Sequence, residues 1–362
     1  MLTWRGWVRV VNAVRLWLRH EVRGSERRAV LVPEDAARLV RGGVEVVVED
    51  SAQRVFGIEE YVAAGCAVAE PGSWVDAPGD FVVVGVKELP EEPAALRHRH
   101  VFFGHAYKGQ AGAGALLRRF AKGGGALLDL EYLTDEAGRR LVAFGYWAGY
   151  VGAALAVLCK TGDLPVPLVP STKEELDRAL GDTGGSAGTA LVIGALGRCG
   201  RGAVAALTEA GIEPTRWDLA ETRELDRAAL LDHDLLVNAV LTEHPAPPFL
   251  TPADLTGPRR LSVLADVTCD VGSPNHLLPV YDRNTTWTEP VLALDVAPPL
   301  EIISIDNLPA LLPREASVGF SADLHPLLAA LPDGHPAWRR CLDRFHAALA
   351  ELDRDDKERT HA

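Results

Sequence analysis

Short β-branched runs alternate with helical stretches along this chain, and this alternation limits its possible folds more than any other feature. Before residue 140, the runs at 44–50 and 80–87 are apolar, short and continuous, as strands buried in a parallel sheet are. The segments 33–43 and 114–125 each have the character of a helix that closes on glycines. Strands and helices in alternation predict a parallel sheet with helices on its faces.

A second alternating unit begins near residue 189, after a segment at 160–188 that is rich in Pro, Ser, Thr and Gly and is interpreted as a surface connection. The tail from residue 335 has apolar residues at helical spacing, and we expect it to pack on the first unit. Ligands of open α/β sheets bind beyond the carboxyl ends of the strands. The prediction is therefore an α/β protein with two Rossmann-like domains, parallel sheets and an interdomain cleft.

The segment 141–159 allows two interpretations. It carries no charge over its whole length, which barely suffices for a membrane span. Its glycines at 145, 149 and 152 instead favour a buried helix that neighbouring elements approach closely. Because the stretch is solitary and lies between soluble α/β segments, we interpret it as a buried helix and predict no membrane association.

The formal net charge of −13 argues against a nucleic-acid partner, because phosphate binding requires a basic face. Five scattered cysteines without a CxxC pair suit a reducing compartment, so a cytoplasmic protein is expected. His98 and His100 alternate along a strand and could share a metal ion. No carboxylate or cysteine completes that set, so we interpret both as surface histidines and predict no metal.

A glycine-rich turn predicts a nucleotide site. Gly194, Gly197 and Gly200 separate an apolar strand from an Ala-rich helix, where glycine permits close approach to a pyrophosphate. The spacing is one residue longer than the usual pattern, so a simple strand–helix turn stays open as an alternative. Asp218 follows 24 residues after Gly194, at the distance of an acid that binds the ribose hydroxyls. This favours NAD over NADP, although Arg216 lies two residues before the acid.

These features give domain boundaries. A leader at 1–14 is basic and aromatic, lacks the apolar core of a secretory signal, and is expected to be disordered. A substrate and catalytic domain takes 15–140 plus 325–362, and an NAD-binding Rossmann domain takes 141–324.

Polar groups follow two strands of the first domain. Lys87 and Glu88 come after one apolar run and His105 after the next, where α/β enzymes carry their chemistry. A desolvated lysine can act as a base, and histidine exchanges protons near neutral pH. Each could instead be a solvated residue at a strand end. Arg28 and the pair Arg139–Arg140 flank apolar runs, where they could bind substrate carboxylates or be exposed.

Seven long motifs extend this pattern along the chain. In order they are GSERRAVLVP, VVVGVKELP, GHAYKGQAG, DLEYLTDEAGRRLVAFGYWAGYVGAAL, VIGALGRCGRGA, WDLAET and ISIDNLPALLPREAS. Together they resemble saccharopine dehydrogenase of the NAD-dependent, L-lysine-forming type, from about residue 17 to the C-terminus. That family belongs with the two-domain proteins that are similar to alanine dehydrogenase.

The resemblance implies oxidative cleavage of saccharopine, a small-molecule amino-acid/2-oxo-acid conjugate, by NAD and water to lysine, 2-oxoglutarate and NADH. It also implies that the protein is a monomer. It implies that Lys87 takes the secondary-amine proton and that His105 handles protons during water addition to the imine. Arg28 and Arg140 would hold substrate carboxylates. The remaining implied residues near the substrate are Glu88, Gln110, Glu131, Phe144, Thr268, Cys269 and Asp270. Those implied at the cofactor are Arg139, Gly197, Arg198, Asp218, Thr222, Val267, Ile305, Asp306, Asn307 and Leu308.

Three positions depart from the family pattern. A family cysteine that matches Cys199 has its partner position occupied by Ala239, so that disulfide cannot form. Leu241 replaces an aromatic residue, and Thr268–Asp270 replace a Ser-Ala-Asp-like stretch.

Two alternatives remain beside saccharopine oxidation. One is a sibling dehydrogenase that couples a different amino acid and 2-oxo acid. The other is a non-catalytic NAD-sensing protein, against which the joint presence of Lys87, His105 and the two arginines argues.

Overall fold

The computed structural model describes residues 14–242 and 244–361. The chain divides into two compact units: the first ends at Ala143 and resumes at Ser317, and the second spans Phe144–Ala316. The sequence placed these boundaries at 140/141 and 324/325. Of the expected leader, residues 1–13 lie outside the described residues, and its last residue, Val14, is buried.

The secondary structure alternates as the sequence predicts. The strands are β1 Arg15–Leu18, β2 Glu45–Glu49, β3 Ala67–Ala69, β4 Phe81–Val84, β5 Arg99–Phe102, β6 Ala126–Asp129, β7 Ala190–Ile193, β8 Thr215–Trp217, β9 Leu235–Asn238, β10 Val263–Asp266, β11 Leu292–Leu294 and β12 Leu300–Ile303. The helices are α1 Pro33–Arg41, α2 Ile58–Ala63, α3 Ala113–Gly123, α4 Gly145–Thr161, α5 Lys173–Asp182, α6 Arg198–Glu209, α7 Leu219–Thr222, α8 Arg227–Leu231, α9 Pro313–Ala329 and α10 Pro336–His361.

The first unit contains a parallel sheet of order β3-β2-β1-β4-β5-β6. Leu16 of β1 lies opposite Val46 of β2 and Val82 of β4. From β1 the chain runs outward to β2 and β3 on one side and then to β4 on the other. This creates a switch point at the carboxyl ends of β1 and β4, the place where open α/β sheets bind ligands.

The second unit repeats this arrangement with the order β11-β12-β10-β9-β7-β8. Its switch point lies between β7 and β9, and its strands are parallel except the edge strand β11, which runs antiparallel to β12. An antiparallel edge strand on an otherwise parallel sheet is common. The predicted α/β class with two parallel sheets is confirmed.

The tail forms α10, which packs on α3 and β6 within the first unit. The ring centroids of Phe345 and Phe120 lie 5.6 Å apart. The Cys341 thiol lies 3.6 Å from the carbonyl oxygen of Asp129, and the Arg340 guanidinium donates to the carbonyl of Thr134. The helix thereby covers the end of β6.

The apolar segment 141–159 forms most of α4, whose residues 149–158 are buried, so the predicted buried helix is confirmed. Its glycines allow α6 to approach very closely. A Cβ on Gly149 would lie 1.8 Å from the Cys199 carbonyl oxygen, and one on Gly202 would lie 1.9 Å from that of Tyr146. In the part of the chain that the structure describes, no helix is long and apolar enough to cross a membrane.

The interpretation of 160–188 as a plain surface connection is wrong, because the segment contains α5. Thr172 caps this helix: its hydroxyl accepts the N–H of Glu175 at 3.2 Å, and the Glu175 side chain accepts the N–H of Thr172 at 2.9 Å. This reciprocal capping box starts a helix within a segment whose overall composition favours loops.

The expectation that His98 and His100 are surface residues is also wrong, since both are buried. His98 Nε2 lies 3.0 Å from the carbonyl oxygen of Ala77. The His100 ring meets those of Trp74 and Phe120 edge-on, at 5.1 and 5.5 Å, and burial holds its pKa well below the usual value. Among the described residues, no three His, Cys, Asp or Glu side chains are grouped to hold a metal ion.

Candidate functional site

The Glu131 carboxylate lies at the centre of a charged cluster at the carboxyl end of β6. Its Oε1 accepts hydrogen bonds from Arg140 at 2.8 Å and from Lys108 at 3.1 Å. Its Oε2 lies 3.5 Å from Nδ1 of His105. The His105 ring and the two cations hold the pKa of Glu131 at about 2, against the opposing effect of burial. Three predicted site residues, His105, Glu131 and Arg140, are thus brought together within one unit.

Asp129, the last residue of β6, adjoins this cluster. Its Oδ1 accepts the backbone N–H of Glu131 at 2.9 Å, and a Cβ on Gly104 would meet its Oδ2 at 3.2 Å. Burial raises the pKa of Asp129 to about 6, and the charge of Glu131 adds to the rise. Sequence reasoning missed Asp129. The available signal was an acid in the last position of an otherwise apolar strand.

His105 occupies a tight turn after β5. Its φ of +48° places a non-glycine residue in the left-handed region, which is uncommon and often marks a functional position. The side chain is 55 % exposed. It borders a cavity of about 500 Å³ whose lining also includes Glu88 and Phe103. Gln110 shapes the same loop, since its Oε1 accepts the N–H of Lys108 at 2.8 Å.

Lys87 lies three residues beyond β4, half-buried, with its backbone fixed by two buried side chains. Glu21 accepts its N–H at 3.0 Å, and the Arg19 guanidinium donates to its carbonyl oxygen. Two further carboxylates, Glu26 and Glu88, are close enough to respond to its charge. Burial opposes ionisation of both carboxylates. Even so, Arg28 and Lys87 hold the pKa of Glu26 below its usual value. Arg23 and Lys87 do the same for the pKa of Glu88.

Arg28 is buried and forms a bidentate ion pair inside the first unit. Its Nε and Nη2 lie 2.8 and 2.6 Å from the two carboxylate oxygens of Glu26. The side chains of Arg28 and Glu26 are 2 % and 0 % exposed. Glu26 therefore fixes the orientation of the predicted carboxylate-binding arginine, which the sequence did not indicate.

Two further predicted residues, Arg139 and Phe144, lie close to the cluster's Arg140 in the sequence. Arg139 is 82 % exposed, and its guanidinium pairs with Asp135 at 2.8 Å. Phe144 is the residue that precedes α4, in the second unit.

In the second unit, the glycine-rich turn has the geometry of a phosphate cradle. Gly194 has a φ of +80°, and its N–H donates to the carbonyl oxygen of Trp217 at 2.8 Å. A Cβ on Gly200 would lie 2.0 Å from the Gly194 carbonyl oxygen. Gly197 precedes Arg198, the first residue of the twelve-residue helix α6, whose N-terminal N–H groups favour an anion. The turn therefore fits a dinucleotide pyrophosphate.

Asp218 follows β8 and faces this turn. Its Oδ2 accepts the N–H of Leu196 at 3.0 Å, and its Oδ1 accepts that of Leu219 at 2.9 Å. The hydroxyl of Thr222 donates to the Asp218 carbonyl oxygen at 2.9 Å. The acid is thus placed beside the glycine-rich loop, as the sequence predicts.

The remaining predicted residues follow β10 and β12. Asp266 orders the first group: its Oδ1 accepts both the N–H and the hydroxyl of Thr268, and its Oδ2 accepts the Tyr281 hydroxyl at 2.8 Å. Val267 donates its N–H to Asn238 at 3.0 Å. Burial raises the pKa of the Cys269 thiol to about 12, and the charges of Asp266, Asp306 and Asp270 add to the rise. All five cysteines are free thiols.

The segment Ile305–Leu308 turns sharply after β12. Ile305 and Leu308 are buried, Asp306 is exposed, and Asn307 adopts a left-handed φ of +68°. This alternation leaves the carboxylate of Asp306 on the surface at the carboxyl end of the sheet.

Comparison with known proteins agrees with this geometry. Residues 17–151 match the family model described as alanine dehydrogenase/PNT, N-terminal domain. A saccharopine dehydrogenase [NAD(+), L-lysine-forming] from Emericella nidulans is 42 % identical, across 93 % of this chain and 98 % of its own length. Its counterpart from Candida albicans is 40 % identical, across 95 % and 99 %.

Among solved structures, an L-alanine dehydrogenase superimposes with a TM-score of 0.67 and 16 % identity, covering 94 % of this chain and 99 % of its own. At this identity the likeness concerns the fold alone.

Proposed function

Because the chain belongs to the family of NAD-dependent, L-lysine-forming saccharopine dehydrogenases, we propose that it oxidises saccharopine with NAD and water to L-lysine, 2-oxoglutarate and NADH. The observation that carries the proposal is the placement of Lys87, His105 and Glu131 at the carboxyl end of one sheet. Lys87 would supply a base and His105 a second proton carrier, while the charge of Glu131 would order the cations beside it.

NAD is the cofactor, and it accepts the hydride when bound. The turn around Gly194, Gly197 and Gly200 would hold its pyrophosphate against the start of α6. The Asp218 carboxylate would accept hydrogen bonds from the ribose hydroxyls, and its negative charge would repel a 2′-phosphate. Thr222, Val267, Arg139, Arg198 and the segment Ile305–Leu308 stay predictions as further cofactor contacts.

Lys87 would remove the proton from the secondary amine while the neighbouring carbon loses its hydride, which leaves a carbon–nitrogen double bond. The carboxylates of Glu26 and Glu88 then face the resulting ammonium and stabilise it. The Lys87 amine needs to be uncharged before this step, so turnover requires release of that proton in each cycle.

His105 would next take a proton from the water that attacks the imine carbon. The Lys87 ammonium meanwhile returns a proton to the imine nitrogen, which gives a neutral tetrahedral adduct. When the carbon–nitrogen bond of this adduct breaks, His105 gives its proton to the nitrogen and Lys87 takes the hydroxyl proton, so that the amine leaves as lysine and the carbon becomes the 2-oxo group. Glu131, 3.5 Å from the ring, stabilises the charged imidazolium in between.

Arg140 and Arg28 would bind the substrate carboxylates, since guanidinium forks pair with carboxylates bidentately. Glu131 and Glu26 orient them before the substrate arrives. Gln110, Phe144, Thr268, Cys269 and Asp270 stay predictions as substrate contacts.

Absorbance at the NADH band tests the proposal directly. Purified protein with saccharopine and NAD should produce NADH, with much slower production from NADP. Lys87→Met should abolish turnover and leave NADH binding intact. The matched control is Lys122→Met, which removes an exposed lysine in the last turn of α3 and should keep wild-type activity.

Wild-type protein that is silent with saccharopine contradicts the proposal. If NADH is then consumed with another amino acid and a 2-oxo acid, the chemistry holds for a sibling substrate. Binding of NAD without turnover of any such conjugate indicates a sensor instead.

We also propose that the first unit carries the acid–base groups and the second unit binds NAD, and that the protein is a cytoplasmic monomer. The free thiols of all five cysteines suit a reducing compartment. Light scattering of the purified protein tests the oligomeric state, since a monomer has a mass of 38.9 kDa and a dimer has twice that mass. Fractionation of the source cells tests the compartment.

A further inference from the structure

We propose that the buried ion pair of Arg19 and Glu21 is a positioning device for Lys87. The inference rests on the proposed function, in which Lys87 exchanges a proton with the substrate amine. The two residues follow β1, the central strand at the switch point, and neither was singled out by the sequence.

The pair holds both polar groups of the Lys87 backbone. Oε2 of Glu21 accepts the Lys87 N–H at 3.0 Å, while Oε1 accepts the N–H of Val86 at 2.6 Å. The Arg19 guanidinium donates to the Lys87 carbonyl oxygen and lies 3.2 Å from Oε2 of Glu21. Because its peptide groups are fixed on both sides, Lys87 presents its side chain from one defined backbone position.

Burial makes this attachment rigid. The side chains of Arg19 and Glu21 are 1 % and 8 % exposed, so water competes little for their hydrogen bonds. Gly85 makes room for the guanidinium: a Cβ there would lie 2.5 Å from Arg19 Nε. A buried ion pair is weak evidence for stability, since hydrophobic residues can often replace it. Its contacts with two consecutive backbone N–H groups and one carbonyl give it a different role.

The same hydrogen-bonded network extends to the strand that carries His105. The carbonyl oxygen of Val86, whose N–H Glu21 binds, accepts the N–H of Phe103 at 3.2 Å. Phe103 lies two residues before His105. The pair therefore joins the ends of β1, β4 and β5 and fixes the spacing at which the backbones of Lys87 and His105 leave the sheet.

Two variants test this role. Glu21→Gln keeps the size of the side chain but loses the charge and the second acceptor oxygen. Gly85→Ala displaces the guanidinium without changing any charge. In both, kcat with saccharopine should fall by about 10- to 100-fold, as small misplacements of a reacting group do, while the KM for NAD stays unchanged. Arg15→Gln is the control, because it removes two partly exposed ion pairs, with Glu45 and Asp80, from the other end of β1.

A second readout needs no turnover. The chain has six lysines, so reductive ¹³C-methylation followed by NMR resolves Lys87 by comparison with Lys87→Met. The Lys87 methyl signal and its titration midpoint should shift in Glu21→Gln and Gly85→Ala but not in Arg15→Gln. The carboxylates of Glu26 and Glu88 are among the charges that act on this midpoint, since their own pKa values respond to the Lys87 charge.

The outcomes separate the two proposals. Wild-type turnover of saccharopine, with unchanged kcat and an unchanged Lys87 signal in both folded variants, overturns the positioning role. An inactive wild type overturns the proposed function, and the NMR signal then decides the positioning role alone. NADH binding and the thermal midpoint identify any variant that fails to fold.

Discussion

Asp129 and Glu131 are joined by a hydrogen bond from the Glu131 N–H to Asp129 Oδ1 at 2.9 Å, and their carboxyl pKa values are displaced in opposite directions. Burial raises the pKa of Asp129 to about 6, whereas His105, Arg140 and Lys108 hold the pKa of Glu131 at about 2. One strand end thus offers a carboxyl group that retains a proton in mildly acidic solution beside another that stays ionised. Pairs with diverging pKa values are typical of acid–base sites.

Asp129 should make the protein less stable as the pH rises from about 4 to about 6. Its pKa is about 6 in the folded protein and 3.8 for the unperturbed group, so the folded state binds the proton more tightly in this window. Ionisation of the buried group then costs about 3 kcal/mol, from about 1.4 kcal/mol per pKa unit.

Asp129→Asn keeps the shape and removes this titration. We expect it to be more stable than wild type by about 1–3 kcal/mol at pH 8 and to gain much less at pH 4. Urea unfolding at the two pH values measures the difference. Glu131, whose lowered pKa affects stability only below about pH 4.5, is present in both proteins, so its contribution at pH 4 is removed by comparing variant with wild type. Equal gains at both pH values would assign the effect to packing.

Glu131→Gln should reduce kcat/KM for saccharopine by about 10- to 100-fold. The substitution removes the charge that orders Arg140 and Lys108 and that lies 3.5 Å from the His105 ring, and charge-assisted hydrogen bonds are worth about twice neutral ones. The KM for NAD should not change. Steady-state kinetics measures both. Glu136→Gln, which alters an exposed carboxylate in the same loop, should stay within about twofold of wild type, because surface charges contribute little.

Asp218→Ser should shift cofactor preference towards NADP. Serine can still cap α7, but the charge that repels a 2′-phosphate is lost. We expect the ratio of kcat/KM for NAD over NADP to fall by about tenfold or more, measured at the NADH and NADPH band. Asp226→Ser is the matched control, since Asp226 is the N-cap of α8, where its Oδ1 accepts the N–H of Ala229 at 3.0 Å. An equal shift in both variants would refute a role for Asp218 in recognition.

Gly149→Ala should destabilise the second unit by about 1–3 kcal/mol, as overpacking does. The new methyl group would lie 1.8 Å from the backbone carbonyl of Cys199, so α4 and α6 must separate. Gly181→Ala is the control within α5, where a Cβ meets nothing within 4 Å, and it should stabilise slightly. Urea unfolding compares the two. If both variants match wild type, the close contact of the helices carries no energetic weight.

The position of the glycine-rich turn was predictable because its determinants are local. Gly194, Gly197 and Gly200 follow an apolar strand directly, and Asp218 ends the next strand, so spacing alone places them. The strands of the first sheet were predictable for the same reason: each is a short apolar run.

Other features depend on contacts that a pattern does not contain. The burial of His98 and His100 requires the one face that they share to be covered, which Trp74 and Phe120 do and which alternation along one strand does not reveal. The helix α5 was missed because a single capping box outweighs the composition of its surroundings. Arg19 and Glu21 act through the backbone of Lys87, more than sixty positions away, so their residue types carry no motif.

The contact of Cys341 with Asp129 spans 212 positions of the chain and has a consequence for synthesis. At about 5–20 residues per second, the ribosome completes β6 roughly 10–40 s before it completes the segment of α10 that covers the end of that strand. Residues 144–316 are all made in the interval. A nascent molecule therefore possesses its glycine-rich turn while the surroundings of the Glu131 cluster are still unfinished.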